Sequence, residues 1–169
     1  MSLLLPQSVE HLFLSAGWFA DRIVPGAGLS ELSHPAAGIF SMFAGLHVEP
    51  TTAVGIECGT SDIAFELPDF DDASTTKWEA ALRTRLVTIA LVGNEHSGLL
   101  VATDGRCFEL SYMHDCLGYL GQDFAESVER LLLGIRAKPM LRPDQDSVVM
   151  YGETYARNHP ALYGQDLRS

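Results

Sequence analysis

The chain has 169 residues and a formal net charge of −11, from 22 acidic and 11 basic side chains. That length suits one domain with its own core, and a hydrophobic content of 47% excludes a disordered chain. An acidic balance of this size disfavours DNA, RNA and anionic membranes as direct ligands, because phosphate binding needs a basic face; it favours a basic partner.

The chain opens Met-Ser-Leu-Leu-Leu-Pro. It has no charged n-region, and Pro6 cuts the apolar run, so no signal peptide is expected. Ser8 is a candidate N-cap for a first helix, with Val9, Leu12, Phe13 and Ala16 on one face. Trp18 reads as a core anchor. Leu29 to Phe43 contains a second helix, with Ser33 as candidate cap, Pro35 in the first turn, and Ala36, Ile39, Phe40 and Phe43 as the apolar stripe. Leu46 to Glu49 alternates as a half-buried strand does, and Ala53 to Glu57 and Ile63 to Leu67 read as two more strands. Asp69 to Ser74 is a loop, and Thr75 or Thr76 opens a third helix carrying Trp78, Ala81 and Leu82.

The centre of the chain lies between Leu86 and Leu110. Leu86 to Val92 is an apolar run of the length and composition of a strand buried on both faces. Leu99 to Thr103 and Arg106 to Leu110 follow, joined at Asp104-Gly105, the strongest hairpin signal in the sequence. Met113 to Gly121 reads as irregular. Asp123 then caps a fourth helix with Phe124, Val128, Leu131, Leu132 and Ile135 on one face. The fold class expected is α+β: a single domain with a mostly antiparallel sheet flanked by helices.

Charge is unevenly placed. Between Ile23 and Thr76 there is no Lys or Arg, while Glu31, Glu49, Glu57, Asp62, Glu66, Asp69, Asp71 and Asp72 fall in that stretch. One reading is a solvated surface of dispersed carboxylates; the other is an electrostatic landing site for a basic protein.

Catalytic patterns find little support. His47-Val48-Glu49 is half of a zinc-deaminase motif without its cysteine partner. His114-Asp115-Cys116 sets base, acid and thiol side by side, but neighbours on a strand or helix do not converge. Phe70-Asp71-Asp72 reads as a solvated cluster sooner than as a metal site. A distant pairing such as Cys58 with His96 stays open. Cys58, Cys107 and Cys116 form no metal-binding pattern and point to a reducing compartment. No stretch approaches the roughly 20 apolar residues of a membrane span, so a cytoplasmic address is expected. No cofactor or metal is expected, and the chain is read as not an enzyme.

The run Leu14-Ser15-Ala16-Gly17-Trp18-Phe19-Ala20-Asp21-Arg22 resembles the opening signature of the third subgroup of the SUKH superfamily of bacterial immunity proteins, where Gly-Trp is followed four residues later by Arg. Phe43-Ala44-Gly45-Leu46-His47-Val48 is similar to its helix exit into the first strand. Val92-Gly93, Leu99-Leu100-Val101 and Asp104-Gly105-Arg106-Cys107-Phe108 resemble its central meander. Leu120-Gly121, Phe124-Ala125-Glu126 and Leu131-Leu132-Leu133-Gly134 resemble its closing helix. Ala44 and Leu91 depart from the usual glycine and proline. The likeness spans Leu5 to Ala137. Residues 138–169, with Tyr151, Tyr155 and Tyr163, form an extension that either packs on the domain, mediates self-association or stays mobile.

The resemblance implies a non-enzymatic immunity protein that binds and neutralises a cognate polymorphic toxin, often a nuclease. A regulatory protein–protein interaction module of the same superfamily is the alternative, and a small cysteine-dependent hydrolase a more distant one. The partner-binding residues expected are Glu49, Glu57, Asp62, Glu66, Asp69, Asp71 and Asp72, facing a basic toxin. No direct nucleic acid or membrane contact is expected, and homo-oligomerisation stays open.

Overall fold

The computed structural model describes residues 4–29 and 32–164. Glu31, counted above among the carboxylates, lies outside the described residues, as do 165–169 of the extension. Seven strands form one antiparallel sheet in chain order: β1 (His47–Val48), β2 (Ile63–Ala64), β3 (Leu86–Val92), β4 (Ser97–Ala102), β5 (Cys107–Ser111), β6 (Leu117–Gly121) and β7 (Lys138–Pro139). The long apolar runs form its centre. In β4, Leu99 and Val101 enter the core on one face while Leu100 and Ala102 enter the core on the other. That two-sided burial explains why β3 and β4 read as continuous hydrophobic runs. Asp104 turns the chain by accepting from the Arg106 N–H (3.1 Å), and Gly105 supplies a φ of +91°.

Three helices cover one face: α1 (Gln7–Ser15), α2 (Pro35–Phe43) and α4 (Phe124–Leu133). Their meeting point is aromatic, with Phe43 at 5.4 Å from Phe13, 5.2 Å from Phe65 and 4.9 Å from Phe124 between ring centroids. The fourth helix, α3 (Ala73–Leu82), brings Trp78 into the opposite core, among Leu100, Phe108, Leu110 and Leu117.

Helix starts differ from the sequence expectation in three places. Pro6, not Ser8, precedes α1; its fixed φ of −60° sets the entry, and the Ser8 hydroxyl donates instead to Glu129 on α4. His34, not Ser33, caps α2, its ring Nδ1 accepting from the Ala36 N–H at 3.1 Å. Asp72 caps α3 through the Ser74 N–H (2.7 Å), so that helix starts at Ala73, before Thr75. The Asp123 cap on α4 forms as expected, donated to by the Glu126 N–H at 2.9 Å. Gly134 closes α4 in the left-handed region, so Ile135 lies beyond the helix.

Two other expectations are corrected. Ala53 to Glu57 is not a strand; only an isolated bridge, Val54 with Gly59, forms there, because the backbone bonds to the end of α4 instead of to a sheet neighbour. Within Met113–Gly121, read as irregular, Leu117–Gly121 is β6, every residue buried; its two glycines and a tyrosine hid the strand pattern.

The C-terminal residues join the sheet and both sides of its far end. β7 pairs with β6, and β8 (Ser147–Met150) and β9 (Glu153–Ala156) form a separate hairpin. Met140 enters the Trp78 core, and Tyr163 stacks on Tyr119 at 3.7 Å with planes 1° apart. Arg142, 3% exposed in its side chain, lies 5.0 Å over the Trp78 ring and is held by Asp115 and Asp144. Among the described residues no helix is long and apolar enough to cross a membrane.

Candidate partner-binding surface

The described part of the basic-free stretch contains α2 of the helical layer, the β1–β2 edge of the sheet, the loop between those strands and the segment that leads to α3. β1 is the edge strand, and its neighbour β2 is short, with register His47 to Ala64 and Val48 to Ile63. Asp62, just before β2, bonds His47 Nε2 at 2.8 Å and accepts from the Asn94 N–H at 2.9 Å. Burial alone would raise the Asp62 carboxyl, but these bonds outweigh it and leave it below the ordinary carboxylate range. Asp62 is thus a brace between the edge hairpin and the β3–β4 turn. Glu49 follows β1 and is exposed.

Glu57 sits elsewhere, on the loop between β1 and β2 that crosses to the end of α4. Its Oε2 accepts from the Arg136 N–H at 2.8 Å. The loop is pinned there by backbone bonds from Ile56 to Leu133 and from Glu57 and Cys58 to Gly134, at 2.8–3.0 Å. Gly55 and Gly134 make this possible: a Cβ on Gly55 would lie 2.5 Å from Gly134 Cα and 2.7 Å from the Leu133 carbonyl.

The remaining carboxylates follow β2. Glu66, Asp69 and Asp71 are exposed and form no ion pair with another described residue, whereas Asp72 is committed to its cap. Phe70, 47% exposed, meets Tyr112 edge-on at 5.0 Å, and with Asp71, Asp72 and Thr88 they line a hollow of about 500 Å³. Burial, with the Asp72 charge, pushes the Tyr112 hydroxyl up to about 12, so it stays a neutral donor at this hollow. The seven expected residues therefore do not converge. They spread from the α4 end, along the sheet edge, to the start of α3, and the side chains of Glu49, Glu66, Asp69 and Asp71 make no hydrogen bond or ion pair with another described residue.

Burial disfavours the thiolate form of all three cysteines. Burial raises Cys58, with Glu109 adding to it; burial pushes Cys107 up to about 12 and also raises Cys116. In His114-Asp115-Cys116, Asp115 is taken by Arg142 in a two-pronged contact of 2.7 and 2.6 Å. Among the described residues, no three His, Cys, Asp or Glu side chains gather as metal ligands.

Two features escaped the sequence reading. Glu109 stands in the middle of the sheet, paired with Leu99 on one side and Gly118 on the other; burial lifts its carboxyl and a bond from Ser97 offsets part of that. The signal was there, since Glu109 is the one charge in an otherwise buried strand core. The second is Val54 and Ile56, which the strand expectation would half-bury and which are instead 83% and 71% exposed.

The signature residues turn out to build the helical layer. Gly17 turns the chain with φ +99°, Trp18 stacks on Phe43 with planes 14° apart, and the Arg22 guanidinium takes the carbonyls of Met42 and Ala44. Gly-Trp and the arginine are thus one device, tying the turn after α1 to the end of α2. No curated protein and no solved structure matches the chain. The family model described as SUKH-3 immunity protein matches residues 5–134, from the residue before Pro6 to the glycine that closes α4. With that match covering most of its length, the chain belongs to the SUKH-3 immunity protein family.

Proposed function

We propose that the chain protects the cell by binding a cognate toxin, not by catalysis, and that the toxin is a basic protein, a nuclease in the simplest case. The observation that carries this is the stretch from Ile23 to Thr76, which has carboxylates and no Lys or Arg, in a member of an immunity family with net charge −11. A nuclease needs a basic groove for the phosphate backbone, and a carboxylate-rich edge can occupy that groove in place of nucleic acid. Of the seven carboxylates, Glu49, Glu66, Asp69 and Asp71 are the contact residues, because they are exposed and form no ion pair with another described residue. Asp62, Glu57 and Asp72 act one step back, holding the edge hairpin, the crossing loop and the start of α3. The suppressed thiols weigh against a cysteine hydrolase.

The test is a pull-down and titration with the product of the adjacent gene, its active site disabled, at low and high salt. Tight, salt-sensitive binding is expected, and reversing the four exposed carboxylates should weaken it and flatten the salt dependence. Unchanged affinity and salt slope in that variant would sink the electrostatic mechanism. Absence of any complex would sink the immunity pairing itself.

A further inference from the structure

Residues 51–57 form an exposed, mostly apolar ridge, with Val54 and Ile56 as its large side chains. Single exposed hydrophobics are ordinary, but these two are not isolated. They border a hollow of about 310 Å³ whose apolar wall continues through Leu12 of α1 and Leu132 and Leu133 of α4. The backbone beneath is fixed. Ile56, Glu57 and Cys58 bond the last carbonyls of α4, Thr60 N–H bonds Ala53, and the Thr52 hydroxyl bonds the Val54 carbonyl at 2.9 Å. Gly55 and Gly134 let the two chains touch at the backbone. The loop is thus held stiffly while its aliphatic side chains point into water. That costs solvation on the outside and gains nothing for the core.

We propose that this ridge is the apolar anchor of the toxin interface: Val54 and Ile56 enter a recess on a basic protein surface, and the hollow beside them receives one aliphatic or aromatic side chain of that protein. The proposal rests on the immunity reading above and names the patch that supplies most of the affinity. Charge complementarity selects a basic partner over other occupants. Among the described residues the hollow is lined by no Lys or Arg and by one histidine, His11; Glu129 on α4 accepts from Ser8 on its wall, and Glu57 follows Ile56 on the loop. An apolar centre with a charged rim is the arrangement in which a few desolvated side chains carry the binding energy and the rim sets orientation. A loop already fixed in place loses little entropy on binding.

The experiment titrates the inactivated product of the adjacent gene against three chains: wild type, the Val54→Ser/Ile56→Ser variant and an Asp69→Asn/Asp71→Asn variant. Both aliphatics are exposed, so the first variant should keep the wild-type melting temperature. Its affinity should fall by about 30-fold or more with the salt slope retained, whereas the carboxylate variant should flatten the slope. Hydroxyl-radical footprinting of the wild-type chain gives a reading that needs no variant: Val54 and Ile56 should lose oxidation in the complex. Tight wild-type binding with the serine variant within about threefold, or with both residues still oxidised, overturns the anchor and leaves the immunity reading standing. No binding by wild type overturns both. A wild-type dimer that the serine variant dissolves would assign the ridge to a second copy of this chain and overturn the proposal.

Discussion

Arg22 donates from Nη1 to the carbonyl of Met42 at 2.7 Å, and its Nη2 reaches the next free carbonyl, that of Ala44, at 2.8 Å. A cation thus closes the C-terminal end of α2, where the helix dipole favours it. Arg22→Ala should lower the unfolding free energy by about 2–4 kcal/mol, since each of the two hydrogen bonds from the charged guanidinium contributes roughly 1.5–3 kcal/mol and water replaces part of both at this half-buried site. Arg22→Lys should recover only part, because one ammonium cannot span both carbonyls in the same fork. Thermal melts read this out. A melting temperature unchanged in the alanine variant would move the arginine from scaffold to partner surface.

The contact between Gly55 and Gly134 predicts an asymmetry with its neighbours. Gly55→Ala should cost about 3 kcal/mol, because its Cβ meets backbone, which cannot step aside as a side chain would. Gly38, with nothing within 4 Å of its Cβ and a place inside α2, should accept Ala at no cost or with a small gain. Urea denaturation of the two variants compares them directly, and equal midpoints would show that the crossing loop can lift from α4.

Asp115 gives a pH dependence with a definite sign. The bonds from Arg142 hold its carboxyl below the ordinary value of 3.8, burial opposing only in part. Its stabilising contribution is therefore complete above that value and is lost as pH falls through the lowered folded one. Because the Asp115 side chain is half exposed, Asp115→Asn should cost only about 1 kcal/mol at neutral pH. The gap from wild type should close as pH falls through that lowered folded value. Melting curves from neutral to acid pH measure the gap, and a constant difference at every pH would show that the pair contributes through shape alone.

Cutting the chain after Ala137 tests whether residues 138–164 belong to the folded unit. The cut removes β7 from the sheet, Met140 and Tyr163 from the Trp78 core, and Arg142 from the Trp78 ring. It leaves β6, buried at every position, as a bare apolar edge. The truncated chain should lose its near-ultraviolet circular dichroism and associate. A monomer with a sharp melt would place the domain boundary at the end of α4.

The central sheet was legible because its strands carry two-sided apolar runs, a pattern that tolerates small errors of register, and Asp104-Gly105 marked the turn. The family signature was legible as letters, but its meaning was not. Trp18 and Arg22 act on Phe43, Met42 and Ala44, about twenty residues on, and no local spacing reveals that. The 53–57 segment failed for a related reason. Its Val54 and Ile56, two apart between smaller or polar residues, fit a strand, yet the hydrogen bonds go to α4, some eighty residues away, through a close approach of Gly55 and Gly134. The carboxylates were legible as letters, while the split between exposed ones and those used as caps and braces depended on three-dimensional partners.

The strand order of the sheet, identical to the order of the chain, has a consequence for the time at which the protein becomes usable. Each strand meets a neighbour already placed, and the connections from β3 to β6 are short, so the centre of the sheet pairs through local contacts, which favours fast folding. During synthesis the sheet can grow strand by strand as it emerges, from β1 towards β7. The edge proposed to meet the toxin is therefore the first part of the sheet to leave the ribosome, and β7, at the opposite end, is the last.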